Sequence, residues 1–148
     1  MKMKGSMMTP EQETRERIME AAFELFSTNG YDKVSMNDIV DRSGISKGGI
    51  FHYFSSKYEL GRDSLIWWAS NLMEPQFQKM MEKDLPPREL LCSFVEMMVE
   101  LFESDSGFTK YFWGIFDEAI RKEEDNSIWV DFMDQYVGII ASQYELMG

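Results

Sequence analysis

Apolar positions recur at helical spacing along most of this 148-residue chain. Ile18, Ala21, Ala22, Leu25 and Phe26 lie three and four apart and lay one apolar stripe along a first helix. Thr9-Pro10-Glu11-Gln12 marks its start: threonine can cap, proline suits the first helical position, and Gln12 can return a hydrogen bond to the cap. Asn29-Gly30 marks its end. A second, short helix is expected after Ser35, with Asp38 three residues on, an inner face of Met36, Ile39 and Val40, and Gly44 as its stop. Ser46 caps a third helix. Ser56 caps a fourth, where Glu59 is expected to complete a capping box.

The fourth helix should run from Lys57 into the seventies, with Pro75 kinking or breaking it. A further piece reaches about Lys83. Pro86-Pro87 opens a helix through Leu90, Phe94, Met97, Met98, Leu101 and Phe102. Ser104 to Gly107 reads as a turn, Phe108 to Lys122 as a helix, Glu123 to Asn126 as an acidic loop and Ser127 to Met147 as a last helix. No strand, repeat or low-complexity tract is expected. The pattern predicts an all-α fold: an N-terminal three-helix helix-turn-helix head joined by a long fourth helix to a helical body. Residues 9–56 form the head and 57–148 the body.

Composition first argues against a nucleic-acid partner. The chain carries a formal charge of −11, whereas such binders are usually basic. The charge is unevenly placed. Residues 1–57 hold eight Lys/Arg against eight Asp/Glu, and residues 58–148 hold seven against eighteen. The excess acidity therefore follows the helix-turn-helix, and a neutral head can bind phosphate if the acidic body stays away from it. Non-specific affinity is lowered in exchange. No apolar run approaches the ~18 residues a membrane helix needs, and none follows Lys2 and Lys4 as in a signal peptide, so a cytoplasmic protein is expected. Cys92 is the single cysteine. It excludes an internal disulfide or a CxxC metal site, and its apolar neighbours predict a buried thiol.

Residues 34–57 carry the chemistry. Two short helices joined by a tight turn, the second opening on serine, lysine and two glycines, fit a recognition helix that enters the major groove by its N-terminal turn. Ser46, Lys47, Gly48, Gly49, His52 and Tyr53 would face DNA, and Ile50 and Phe54 would face inward. Each glycine weakens a helix by roughly 1 kcal/mol against alanine. That cost is understandable if the backbone approaches DNA closely, or if two helices pack closely there. Lys57, at the N-terminus of the fourth helix, would anchor a phosphate. One histidine and one cysteine cannot build a metal or catalytic cluster, so no enzyme and no cofactor is expected.

At these residues the chain resembles the tetracycline-repressor (TetR) family of bacterial regulators, over about residues 11–65. The likeness rests on Ala21, Ala22, Leu25, Phe26, Asn29, Gly30 and Tyr31, on Ile39 through Gly48, and on His52, Tyr53, Phe54, Lys57 and Leu60. The resemblance implies phosphate contacts from Tyr53 and Lys57. It also implies two lost hydroxyls, because Gly49 stands where threonine is frequent and Phe51 where tyrosine is. Weaker phosphate clamping is then expected, or compensation from Ser46, His52, Ser35 or Asn37. A homodimer on a palindromic double-stranded operator is implied too, through helices that in the family lie beyond this length. Either further chain or another surface must supply that interface.

The body holds all four tryptophans, with many phenylalanines and methionines. Such a lobe can line an adaptable apolar pocket or form an ordinary core. Trp67, Phe94, Met98, Phe112, Trp113, Phe116 and Trp129 are the candidates for a pocket binding a small apolar or aromatic effector. Trp67 and Trp68 must point in different directions. Glu96, Glu100 and Glu103 share one helical face and could select a cation or simply be solvated. The expected function is a ligand-responsive transcriptional repressor. The rival reading is a helical interaction module of the same fold with weak or lost DNA binding.

Overall fold

Hydroxyl caps set where the first four helices begin. In the computed structural model, which describes residues 8–83, 85–103, 107–122, 130, 134 and 138, helix α1 spans Pro10–Asn29. The Thr9 hydroxyl accepts the Gln12 N–H at 3.2 Å, and the Gln12 side chain accepts the Thr9 N–H at 2.9 Å. Gly30, at φ 87°, closes α1 by donating its N–H to the Phe26 carbonyl. A 3-10 turn over Tyr31–Lys33 leads to α2, Met36–Ser43. Here Ser35 and Asp38 form a complete capping box, and the hydroxyl and N–H of Ser35 hold the Asp38 carboxyl below its ordinary range. Gly44, left-handed at φ 70°, turns the chain into α3, Lys47–Tyr53, whose cap Ser46 accepts the Gly49 N–H.

Helix α4 spans Lys57–Trp68 and is capped by Ser56. The expected box closes differently: the Glu59 carboxylate reaches past Ser56 and accepts both the N–H and the hydroxyl of Ser55. Ser55 offers two donors to one charged acceptor, which favours the longer reach.

Pro75 does not interrupt the chain's helical course. A π turn at Ala69–Met73 widens the backbone just before it, with the Glu74 N–H bonded to the Ala69 carbonyl. Helix α5, Glu74–Met81, then carries Pro75 in its first turn, where a missing N–H costs little. The Asn71 side chain donates to the Trp67 carbonyl at 2.8 Å, within the stretch where the regular ladder is lost. Helices α6 (Pro87–Glu103) and α7 (Gly107–Arg121) follow as the sequence predicts. The acidic loop expected from the sequence lies outside the described residues, as does the last helix apart from Val130, Asp134 and Gly138, which are helical.

Helix α1 packs against α2, α4 and α7. Three partners explain why Met19 is buried beside the expected stripe of Ile18, Ala21, Ala22 and Phe26. One core joins Ile39, Ile50 and Phe54 of the helix-turn-helix to Leu60 of α4 and Tyr111 and Ile115 of α7. Phe26 and Tyr111 stack with centroids 5.0 Å apart, and the Tyr111 hydroxyl donates to the Gly61 carbonyl. A smaller cluster of Ala69, Met73 and Phe77 packs against Leu91 and Phe94 of α6. Cys92 is exposed, contrary to the expected buried thiol. Sequence neighbours Leu90 and Phe94 turn inward, whereas Cys92 lies three and seven residues from the exposed Val95 and Val99, on the outer side of α6.

The turn after α1 is tied to α7. Tyr31 donates its hydroxyl to Glu118 at 2.5 Å, and Lys122 pairs with the same carboxylate at 2.9 Å. Burial alone would raise the Glu118 carboxyl, but these two bonds, with the charges of Lys122 and Arg121, hold it below the ordinary carboxylate range. A carboxyl depressed by folding adds stability above its unfolded pKa and loses that contribution as pH falls through its folded pKa. Glu118→Gln is therefore expected to lower the Tm near neutrality. The gap from the parent should close as acidification carries both below pH ~4. A gap independent of pH, in melts from pH 7 down to 3, would contradict this role.

Candidate nucleic-acid interface

Ile50 and Phe54 seat α3 on the core and are fully buried. Its opposite face is open. Ser46, Lys47, Gly48, Phe51 and His52 are exposed there, and Gly49 is half-buried. Lys47 has no ion-pair partner among the described residues, whereas Arg42 pairs with Glu24, Arg15 with Asp63, and Arg17 donates to the Ser43 carbonyl. This face of α3 thus presents an unneutralised cation at the start of a helix.

The two glycines differ. A Cβ on Gly48 would meet no protein atom within 4 Å, so packing gives no reason for glycine there. A Cβ on Gly49 would come within 2.9 Å of Ile45 Cγ2 and 3.1 Å of the capping Ser46 hydroxyl. No packing contact accounts for the first. For the second, the crowding comes from the turn before α3 itself, not from packing of α3 on α2.

Ser35 and Asn37 are exposed at the start of α2, although the Ser35 hydroxyl is already bonded to Asp38. Tyr53 is half-buried against the core, with the His52 ring edge-on at 5.0 Å. Lys57 is more constrained than an exposed anchor. Its ammonium lies 4.3 Å from the centre of the Tyr31 ring and 6.0 Å from that of Phe26. Burial pulls its pKa down, against the opposing pull of Asp32, Glu118 and Asp38. A phosphate reaching Lys57 would share it with Tyr31. The Glu59 carboxylate also occupies Ser55 at the same helix end. Sequence reasoning missed both features, since neither Tyr31 nor Ser55 shows by spacing that it will engage these charges.

Residues 18–62 match the family described as bacterial regulatory proteins, tetR family. Residues 18–62 are a TetR-family helix-turn-helix. The HTH-type transcriptional regulator YxaF of Bacillus subtilis is 30% identical over 98 residues, 66% of this chain and 51% of YxaF. The HTH-type transcriptional activator FasR of Mycolicibacterium smegmatis is 34% identical over 97 residues, 66% of this chain and 44% of FasR. The chain spans about half the length of these curated relatives. A solved regulator from Clostridium perfringens overlays 87% of this chain and 86% of its own at a TM-score of 0.46 and 19% identity.

Beyond its TetR helix-turn-helix, the chain holds a cavity of about 260 Å³ with a wholly apolar wall. Leu65, Ile66 and Trp68 of α4 and Ala69 and Met73 of the π turn form one side. Met98, Leu101 and Phe102 of α6 and Phe108, Phe112 and Trp113 of α7 form the other. Of the residues expected from sequence, Met98, Phe112 and Trp113 line it. Trp68 takes the place expected for Trp67, which packs in the main core with its indole nitrogen buried and unpartnered. Phe94 sits edge-on to Phe77 in the smaller cluster, Phe116 is partly exposed beside Trp113, and Trp129 lies outside the described residues. Helical periodicity separates Trp67 from Trp68 by about 100°, but which of them meets the cavity depends on where α6 and α7 cross. Among the described residues no cluster of His, Cys, Asp and Glu could hold a metal, and no helix is long and apolar enough to cross a membrane.

Proposed function

We propose that this chain is a ligand-responsive, DNA-binding transcriptional regulator of the TetR family. It acts as a cytoplasmic homodimeric repressor, released from a palindromic operator by a small apolar or aromatic effector. The open Lys47–Gly48 edge of α3, bare of any protein neighbour at Gly48, is the observation that carries this reading. Residues 9–56 read the groove through Ser46, Lys47, Gly48 and His52, while Ser35, Asn37, Tyr53 and Lys57 hold the backbone. The effector occupies the apolar cavity. Helix α4 links the two, because its first residue is the anchor Lys57 and its last, Trp68, lines the cavity. A ligand that prefers one setting of α4 by a few kcal/mol would shift DNA affinity accordingly.

Lys57→Ala tests the anchor. Affinity should fall for every duplex sequence, and the slope of log K against log salt should shrink by about 1. A mobility-shift titration from low to high KCl reads both. An unchanged slope would remove Lys57 from the contact set and leave it as the cation that covers Tyr31.

A further inference from the structure

We propose that the effector is a lipophilic cation, its apolar body in the chamber beside Trp68 and its positive head at Glu100. The inference rests on the reading of the cavity as the effector site. A second recess of about 270 Å³ adjoins the first and shares Trp68, Met73 and Leu101 with it. Its wall adds Gln76 and Glu100, so the recess beside the apolar chamber, which we read as its mouth, carries a carboxylate. Glu96 stands one helical turn before Glu100 on α6, also exposed. Among the described lining residues of both recesses there is no lysine or arginine.

Charge decides the ligand class. A carboxylate ligand entering the chamber would find no cation to pair with and would meet Glu100, in a body whose sequence carries the whole −11. A neutral ligand would gain apolar burial alone. An ammonium or a delocalised organic cation gains that burial, the Glu100 carboxylate, and attraction to the tryptophan ring at the junction of the recesses. Each recess falls just below the roughly 300–1,000 Å³ common for ligand sites. That size suits a compact aromatic or branched body with the head group in the mouth.

Three probes sharing one naphthyl body and differing only in a trimethylammonium, hydroxymethyl or carboxylate head test this on the full chain. Quenching of tryptophan fluorescence reports binding, because Trp68 and Trp113 line the chamber. The cation should bind about three- to fivefold tighter than the alcohol at low salt, and the carboxylate weakest. Glu100→Gln should remove most of that preference without changing affinity for the alcohol. Glu11→Gln, an equal charge change on exposed α1, should leave it intact. Equal binding of all three probes, or a cation preference that survives Glu100→Gln, would overturn the assignment to a cation while the cavity stands as an apolar site. Failure of all three to bind would overturn both the assignment and the cavity reading beneath it.

Discussion

Gly48→Leu is expected to reduce duplex affinity by about 100-fold or more while the Tm stays level or rises. Nothing in the protein lies within 4 Å of a Cβ at this position, so leucine displaces no neighbour. Removing glycine from an exposed helical site favours the fold by up to roughly 1 kcal/mol, a rise of about 2–4 °C for a chain of this size. In the proposed complex the floor of the major groove lies on the other side of that empty space. A side chain wedged there would push α3 outward and lengthen the contacts from Lys47 and Ser46 together. Losing about 2.7 kcal/mol of them gives the hundredfold effect. Gly48→Ala should fall between. Anisotropy titration and thermal melting on the same preparation separate the two outcomes. Leucine tolerated without loss of DNA affinity would mean that α3 does not approach DNA by this edge.

Gly107→Ala should do the opposite and cripple the fold. Gly107 opens α7 where it passes the end of α1. A Cβ there would lie 2.4 Å from both the carbonyl carbon and the oxygen of Thr28, and 2.6 Å from the Ser27 oxygen. These are backbone atoms, which cannot rotate aside as a side chain can, so the two helix ends must move apart. Overpacking of this kind costs about 3 kcal/mol, and the Tm should drop by roughly 10 °C. The damage should also spread, because α7 carries Tyr111 and Ile115 into the core, Glu118 onto Tyr31, and Phe108 and Phe112 into the cavity wall. Differential scanning calorimetry measures the loss. A melting point within a degree or two of the parent would show that α1 and α7 do not meet this closely.

Helix starts and stops were legible in the sequence because short polar side chains and glycines set them locally. Thr9 with Gln12, Ser35 with Asp38, and Gly44 at positive φ each act within three or four residues. The inward seats of Ile50 and Phe54 followed from spacing for the same reason. What the sequence hid was decided by residues far apart in the chain. Lys57 finds Tyr31 only because α4 packs along α1, and Tyr31 finds Glu118 across 87 positions. Trp68 instead of Trp67 meets the cavity because α6 and α7 cross on that side of α4. Cys92 sits among apolar residues in sequence, yet the side of α6 that carries it faces outward. Pro75 announced a disturbance, but not that a π turn five residues long would absorb it.

This neutral head, on an acidic body, is proposed to read a duplex sequence. The direct measurement is an anisotropy titration of the protein against the duplex upstream of its own coding region and against a shuffled duplex of equal composition, repeated as KCl is raised. Binding to the upstream duplex should be tighter by at least about 1,000-fold than to the shuffled one, with affinity falling linearly in log salt. Equal affinity for both duplexes, or none for either at low salt, would contradict it and leave a helix-turn-helix fold that serves a protein partner.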